Sequence, residues 1–192
     1  MEFKTDIELA WDNVILRPIS MDAYDDLKEI ATEESLWRFT PSKVTADGLK
    51  AYIQTGVDDW AAQRRMMFAI YSKAHGRVVG CTSIGNFDFK SRRAEIGWTW
   101  LGIAFQGIGL NSECKSLLLT FCFEELALNR VEFRTDVNNV KSRKALKKIG
   151  ATEEGVLRQH TLLSNGTWRD TIYYSILSTE WENVKSLHFR KA

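Results

Sequence analysis

The chain has few of the residues that staple or interrupt small proteins, with only three cysteines and two prolines in 192 residues. Cys81, Cys114 and Cys122 form no Cys-x-x-Cys pair and are odd in number, which argues against a zinc cluster or a disulfide framework. They read as small buried apolar residues of a reducing compartment. No apolar run approaches the roughly 20 residues needed to span a bilayer. The opening stretch MEFKTDIELAWD is charged and lacks the apolar segment of a secretory leader, so a soluble, cytoplasmic protein is expected. An excess of one charge is also lacking. The 26 Lys and Arg nearly balance the 25 Asp and Glu, for a formal net charge of +1. Neither nucleic acid nor a membrane surface is therefore expected as a partner. Without repeats, low-complexity tracts or a Pro/Gly/Ser-rich linker, residues 1–192 read as one domain. With 44% hydrophobic residues, its core needs no structural metal.

Periodicity predicts the elements. Val14–Arg17 reads as a short strand, and Ser20 as the N-cap of a helix over Met21–Glu34, with Asp22, Asp25 and Asp26 favouring its dipole. Residues Trp37 to Pro41 form a loop, since Pro41 disfavours helix at Thr40. A second helix is predicted over Thr45–Arg65. Strands follow at Met67–Ser72 and Val78–Ile84, then a connection at Asn86–Ser91 and a strand at Arg93–Leu101. Leu110, Cys114, Leu117, Leu118, Phe121 and Cys122 recur at helical spacing and mark a helix to about Leu128. Val131–Asp136 is a strand, Asn139–Ile149 a basic helix, and Val156–Leu163 and Trp168–Leu177 a hairpin joined at Asn165-Gly166. Glu180–Leu187 closes the chain as a helix. The order predicts an α/β (α+β) fold with a mixed sheet, neither doubly wound nor a barrel.

The most informative stretch runs from Glu95 to Glu113, where a strand enters a loop with Gly102, Gly107 and Gly109 and opens into a long helix. Glycines let the backbone approach a ligand, and the unpaired N–H groups of a helix start can cradle phosphate oxygens. The loop lacks the Gly-Lys-Ser/Thr ending of a P-loop and lacks a complete Gly-x-Gly-x-x-Gly, which disfavours a nucleotide hydrolase and a Rossmann site.

Gln106-Gly107-Ile108-Gly109-Leu110-Asn111 resembles the coenzyme A signature of the GNAT acyltransferase superfamily, Gln/Arg-x-x-Gly-x-Gly/Ala, with Asn111 at the last small position. Asn139-Val140-Lys141-Ser142 and Lys148-Ile149-Gly150-Ala151 resemble its second landmark, Asn-x-x-Ser/Ala before Lys-x-Gly-Phe, with Ala151 replacing the Phe. Glu154 to Arg158 and Asp170 to Ser175 look like the RimJ/RimL branch, which acetylates ribosomal-protein N-termini. The resemblance spans residues 14–178. It implies a mostly antiparallel sheet flanked by helices, and acetyl-CoA as donor without a metal. Pyrophosphate is expected on the backbone of Gly107, Ile108, Gly109, Leu110, Asn111 and Ser112, with Gln106 also part of the coenzyme site. Pantetheine is expected along the strand at Trp98, Thr99, Trp100 and Leu101. Asn139, Ser142 and Lys144 are expected to complete the coenzyme site. Asn139 equally suits an N-cap. Lys141 and Arg143 lie in a first turn where the dipole disfavours cations, which a bound anion would offset.

Acyl transfer to an amine needs a base and a donor for the leaving thiolate. Glu95, ahead of the coenzyme strand, is the candidate base. A surface ion pair with Arg92 or Arg93 is the plainer reading of it. Many GNAT enzymes place a Tyr seven residues after the Asn as acid. Leu146 stands there, so Ser142 is the candidate substitute, with helix capping as its alternative role. Trp37, Phe39 and Tyr173 are expected to wall the acceptor pocket. The expected activity is transfer to a primary amine, a protein or peptide N-terminus, by direct attack in a ternary complex. A small-molecule amine acetyltransferase and a non-catalytic acyl-CoA sensor are the alternatives, and a homodimer is compatible with the pattern.

Overall fold

The computed structural model describes residues 3–4, 6–41 and 43–189. Residues 1, 2 and 5 of the charged N-terminal stretch, on which the reading against a leader partly rests, lie outside the described residues. The elements in order are β1 (Leu9–Ala10), β2 (Val14–Pro18), α1 (Tyr24–Ala31), α2 (Leu49–Ala61), β3 (Arg65–Ser72), β4 (Arg77–Asp88) and β5 (Arg93–Leu101). They continue with α3 (Leu110–Thr120), β6 (Arg130–Asp136), α4 (Val140–Lys148), β7 (Thr152–Leu162), β8 (Trp168–Leu177) and α5 (Ser178–His188). One eight-stranded sheet holds them in the order β1-β2-β3-β4-β5-β6-β8-β7. Every neighbouring pair is antiparallel except β5 with β6. No helix among the described residues is long and apolar enough to cross a membrane.

Two cores sandwich the sheet. Leu27, Ile30, Leu49 and Ile53 of α1 and α2 pack with Met67, Ala69, Cys81 and Trp100 on one face. Cys114, Leu117 and Leu118 of α3 and Trp181 and Val184 of α5 pack with Phe68, Ala94, Ile96, Val131, Phe133 and Tyr174 on the other. The alternation of Ala94 and Ile96 against Glu95 is the period of two that assigns strand residues to opposite faces.

Several boundaries differ from the sequence reading. The helix expected over 21–34 is a 3-10 turn at Met21–Ala23, then α1, then a second 3-10 turn at Glu34–Trp37. Ser20 caps that first turn, accepting from Asp22 N–H at 3.3 Å. The helix after Thr45 begins only at Leu49 and stops at Ala61, and β4 runs on to Asp88 through the expected connection. α3 ends at Thr120 and continues as a π turn over Phe121–Glu125. β7 starts at Thr152, and β1 was not foreseen.

β5 and β6 decide where a site can be. They pair in parallel only over Arg93–Glu95 and Arg130–Glu132. Beyond that point residues 96–101 and 133–136 diverge, leaving a gap in the middle of the sheet with backbone on both lips. A bulge in β5 feeds the divergence. Gly97 pairs with Ser83 and Trp100 with Cys81, so β5 carries one residue more than β4 across this interval. Trp98 takes a positive φ of 51° there, a conformation that costs a non-glycine residue energy and marks bulges beside functional sites.

Candidate active site

Two helix N-termini flank the mouth of the gap. At the end of β5 the chain makes a 3-10 turn over Ile103–Phe105, and Gln106 Nε2 donates back to the Leu101 carbonyl at 2.7 Å. Gly107 and Gly109 have φ of 81° and 96°, left-handed positions that glycine takes without strain. Gly109 is the N-cap of α3 and provides no side-chain cap. Among the described residues the N–H groups of 107–111 have no acceptor; the first bond of the helix is Ser112 N–H to Gly109 O, 2.9 Å. Those free donors, with the helix dipole behind them, form an anion cradle. Across the gap Asn139 caps α4 by accepting from Ser142 N–H at 3.0 Å, and Ser142 is half-buried at the lip. Lys141 Nζ donates to Gln106 Oε1 and ties the two N-termini together.

The basic run on α4 divides in two. Arg143 turns inward to the Tyr174 hydroxyl at 3.3 Å and the Val137 carbonyl at 3.0 Å. Lys147 pairs with Glu153 at 3.1 Å. Protein groups thus compensate Arg143, where the sequence pointed to a bound anion. Lys144 is exposed, has no partner among the described residues, and lines a shallow depression with Val140, Arg143 and Lys147.

On the α1–α2 face, Glu95 is 5% exposed. It pairs with neither Arg92 nor Arg93. Its Oε1 accepts from Arg134 Nε of β6 at 2.9 Å, and its Oε2 from Asn86 Nδ2 at 2.7 Å. The parallel register that sets Glu95 beside Glu132 also brings Arg134 within reach. Tyr173 of β8 lies opposite Arg134, and Arg169 of β8 reaches over to the Phe39 carbonyl at 2.9 Å. Glu95, Arg134, Tyr173 and the Phe39 loop therefore share one wall of the gap. Trp37 stands behind that wall. It is 5% exposed, packs against Trp100 with ring centroids 5.2 Å apart and tilted by 60°, and donates its indole N–H to Ala31 O at 2.9 Å. Trp98 lies under Arg65, 5.5 Å from guanidinium to ring. Trp100 and Leu101 bury their side chains in the cores, so the lip of β5 offers backbone to a ligand.

The α3 face holds what the sequence reading passed over. Lys115 is 6% exposed, and its Nζ donates to Thr99 Oγ1 at 2.8 Å; Thr99 shares a 2.7 Å bond with Thr82. Burial pulls the Lys115 pKa down to about 8. The sequence reading gave Lys115 no role, since a lysine in a helix is solvated far more often than buried. Arg134 was likewise missed, although the alternation Val131, Glu132, Phe133, Arg134 announced a polar strand face. The cysteines are all buried and free, and burial raises each thiol, Cys114 to about 12. None is a thiolate at neutral pH.

The family model "Acetyltransferase (GNAT) domain" matches residues 13–152. The chain belongs to the GNAT acetyltransferase family. It is 39% identical to YdaF of Bacillus subtilis (strain 168), whose name proposes a ribosomal N-acetyltransferase, over 70% of this chain and 73% of that one. Mycobacterium smegmatis RimJ, solved in complex with CoA-disulfide, superposes with a TM-score of 0.77 at 27% identity, covering 87% of this chain and 83% of that one. A GCN5-related N-acetyltransferase from Brucella melitensis shares the fold at a TM-score of 0.87 and 23% identity, covering 96% and 84%. Against the family pattern, Leu146 occupies the usual tyrosine position and is buried, 6% exposed.

Proposed function

We propose that this acetyltransferase moves an acetyl group from acetyl-CoA to the primary amine of a protein or peptide N-terminus, by direct attack in a ternary complex. The whole chain works as one catalytic domain in this reading. The observation that carries it is the gap between β5 and β6, with an uncapped helix N-terminus at its mouth and a buried carboxylate on one wall. The free N–H groups of 107–111 fit a pyrophosphate, and the bulged backbone at Trp98–Leu101 fits a pantetheine arm. Asn139, Ser142 and Lys144 complete that side, Lys144 facing a phosphate. The coenzyme, when bound, supplies an activated acetyl thioester.

The remaining chemistry belongs to the chain's own groups. Glu95 takes the proton that an incoming ammonium must lose, directly or through a water. Arg134 and Asn86 fix the orientation of its carboxylate. Ser142, at the lip, offers its hydroxyl to the departing sulfur. Phe39 and Tyr173 bound the acceptor slot, with Trp37 supporting it from behind. The name of YdaF, which points to a ribosomal acceptor, supports a protein acceptor.

Calorimetric titration with acetyl-CoA and with CoA tests the donor site, and micromolar affinity is expected. Mass spectrometry of peptide N-termini against small amines then tests the acceptor. Absence of binding at millimolar coenzyme would sink the reading, and turnover of small amines alone would replace the acceptor class.

A further inference from the structure

Two polar side chains lie one turn apart on α3, and neither is fully satisfied among the described residues. Lys115 is nine-tenths buried, yet among the described residues its three N–H donors meet one acceptor, Thr99 Oγ1. No carboxylate among the described residues lies within ion-pair distance of its Nζ. Asn111, four residues earlier and so on the same side of the helix, buries an Oδ1 that has no hydrogen-bond partner among the described residues. An uncompensated cation in a dry site is costly, and such groups persist where something else meets them.

Their direction follows from helix geometry. Glu113 bonds Asn13 in the β1–β2 turn at 2.9 and 2.7 Å, on one flank of α3. Two residues on, a helix turns by about 200°, so Lys115 takes the opposite flank, toward β5. It meets β5 at Thr99, in the segment that has parted from β6. Glu95 and Lys115 therefore stand on opposite faces of the strand that forms one lip of the gap. The base candidate is on the acceptor face and the cation on the donor face.

We propose that Lys115 is a catalytic residue that holds the sulfur of the coenzyme, offsetting the negative charge of the leaving thiolate. The proposal rests on the coenzyme reading given above. The acceptor nitrogen forms the new C–N bond as the C–S bond breaks, and the pair of that bond stays on sulfur. The Lys115 ammonium neutralises this charge and passes a proton to it. The acceptor gives up two protons in all, one from the ammonium before attack and one from its nitrogen after the C–N bond forms. Both reach the solvent, which returns one to the neutral Lys115 amine, so one proton is released per turnover. The role suits a group whose proton affinity burial has brought near that of a thiol. The titratable groups whose charge it feels are Cys114 beside it on α3, Glu95 across β5, and Cys122 in the following π turn. Both cysteines stay neutral thiols. With a buried leucine in place of the tyrosine acid, Lys115 supplies charge that Ser142, a neutral hydroxyl, does not.

The test is the thiol titration of bound CoA, followed by ultraviolet thiolate absorbance in the wild type and in Lys115→Met. The wild type is expected to hold about tenfold more thiolate than free CoA at a given pH. The variant should bind CoA and desulfo-CoA with similar affinity, lose the thiolate shift, and lose ~10²-fold in kcat at unchanged KM for acetyl-CoA. Methionine fills the site without a charge, so the variant should melt no lower than the wild type. Identical thiol titrations in the two proteins would overturn the proposal. So would an equal loss of affinity for CoA and desulfo-CoA, which would make Lys115 an anchor for the arm. If the wild type itself binds neither ligand, the coenzyme reading fails and takes the proposal with it; thiol titrations that coincide on well-bound CoA reject Lys115 alone.

Discussion

The two faces of β5 treat buried charge in opposite ways. On the α1–α2 face Glu95 is locked between Arg134 and Asn86, a carboxylate whose compensation comes from the protein. On the α3 face Lys115 and Asn111 are left with donors and an acceptor unmet among the described residues. A compensated charge is a fixed tool, held in one geometry before any ligand arrives. An uncompensated one is a vacancy in the hydrogen-bond account, and its energy is recovered only when a ligand fills the gap. In the function proposed, the first arrangement suits the side that orients a proton transfer, and the second suits the side that holds a coenzyme.

The widest break in this comparison comes from Glu95→Gln. The amide keeps an oxygen for Arg134 and removes the basicity. The expected loss is ~10³-fold in kcat, with calorimetric affinity for acetyl-CoA unchanged because the coenzyme side is not touched. A comparable loss of coenzyme affinity would mean that the two faces are not separable.

Arg134→Leu tests the claim that the acceptor side is compensated by the protein. Removing one partner of a buried pair strands the other, and Glu95, with a side chain only 7% exposed, would be the stranded group. The expected loss is about 3 kcal/mol in denaturant unfolding at neutral pH. The double variant with Glu95→Gln should recover part of it. A neutral Arg134→Leu would show that Asn86 alone suffices.

How much of this was legible beforehand depends on what a residue needs to be understood. The loop from Gln106 to Gly109 and the helix behind it were readable because the signal is local: glycines at left-handed positions followed by a periodic apolar run. Asn139 as a cap was readable for the same reason. The partner of Glu95 was not, because nearby Arg92 and Arg93 compete with Arg134 in sequence, and only the short parallel register with β6 selects among them. Trp37 was placed in the acceptor wall on composition, but a 3-10 turn at Glu34–Trp37 swings it into the core against Trp100. No glycine or proline marks the break after Ala31, so the first helix was drawn too long. Lys115 was invisible because a lysine in a helix is solvated far more often than buried, and only the packing of α3 against β5 reverses that expectation.

The vacancy on the α3 face has a signature in pH. Lys115 has a folded pKa of about 8, below its unfolded value. Between pH 8 and the ordinary lysine value the unfolded chain binds more protons at this site, so its contribution to stability rises with pH. Below pH 8 both states are charged and the full penalty of burial remains. Relative to Lys115→Met, the wild type should therefore gain about 2 kcal/mol of stability from pH 8 to pH 10, measured by urea unfolding of both proteins. Saturating CoA should flatten that gain if its thiolate meets the ammonium. A difference that stays constant with pH would place the lysine in contact with water.

The smallest effect separates two roles of one residue at the mouth of the gap. Asn139 accepts from Ser142 N–H through Oδ1, while its amide N–H₂ has no acceptor among the described residues. Asn139→Asp keeps the capping oxygen and removes those donors, whereas Asn139→Ala removes both. If capping is its whole task, Ala should cost about 1 kcal/mol of stability and Asp should match the wild type in stability and in CoA affinity. If the amide also grips the pantetheine arm, Asp should keep the stability and still lose roughly tenfold in CoA affinity, about the value of one hydrogen bond. The compensated and the vacant modes, divided elsewhere between the two faces of β5, would then meet in a single side chain, satisfied through its oxygen and open through its nitrogen.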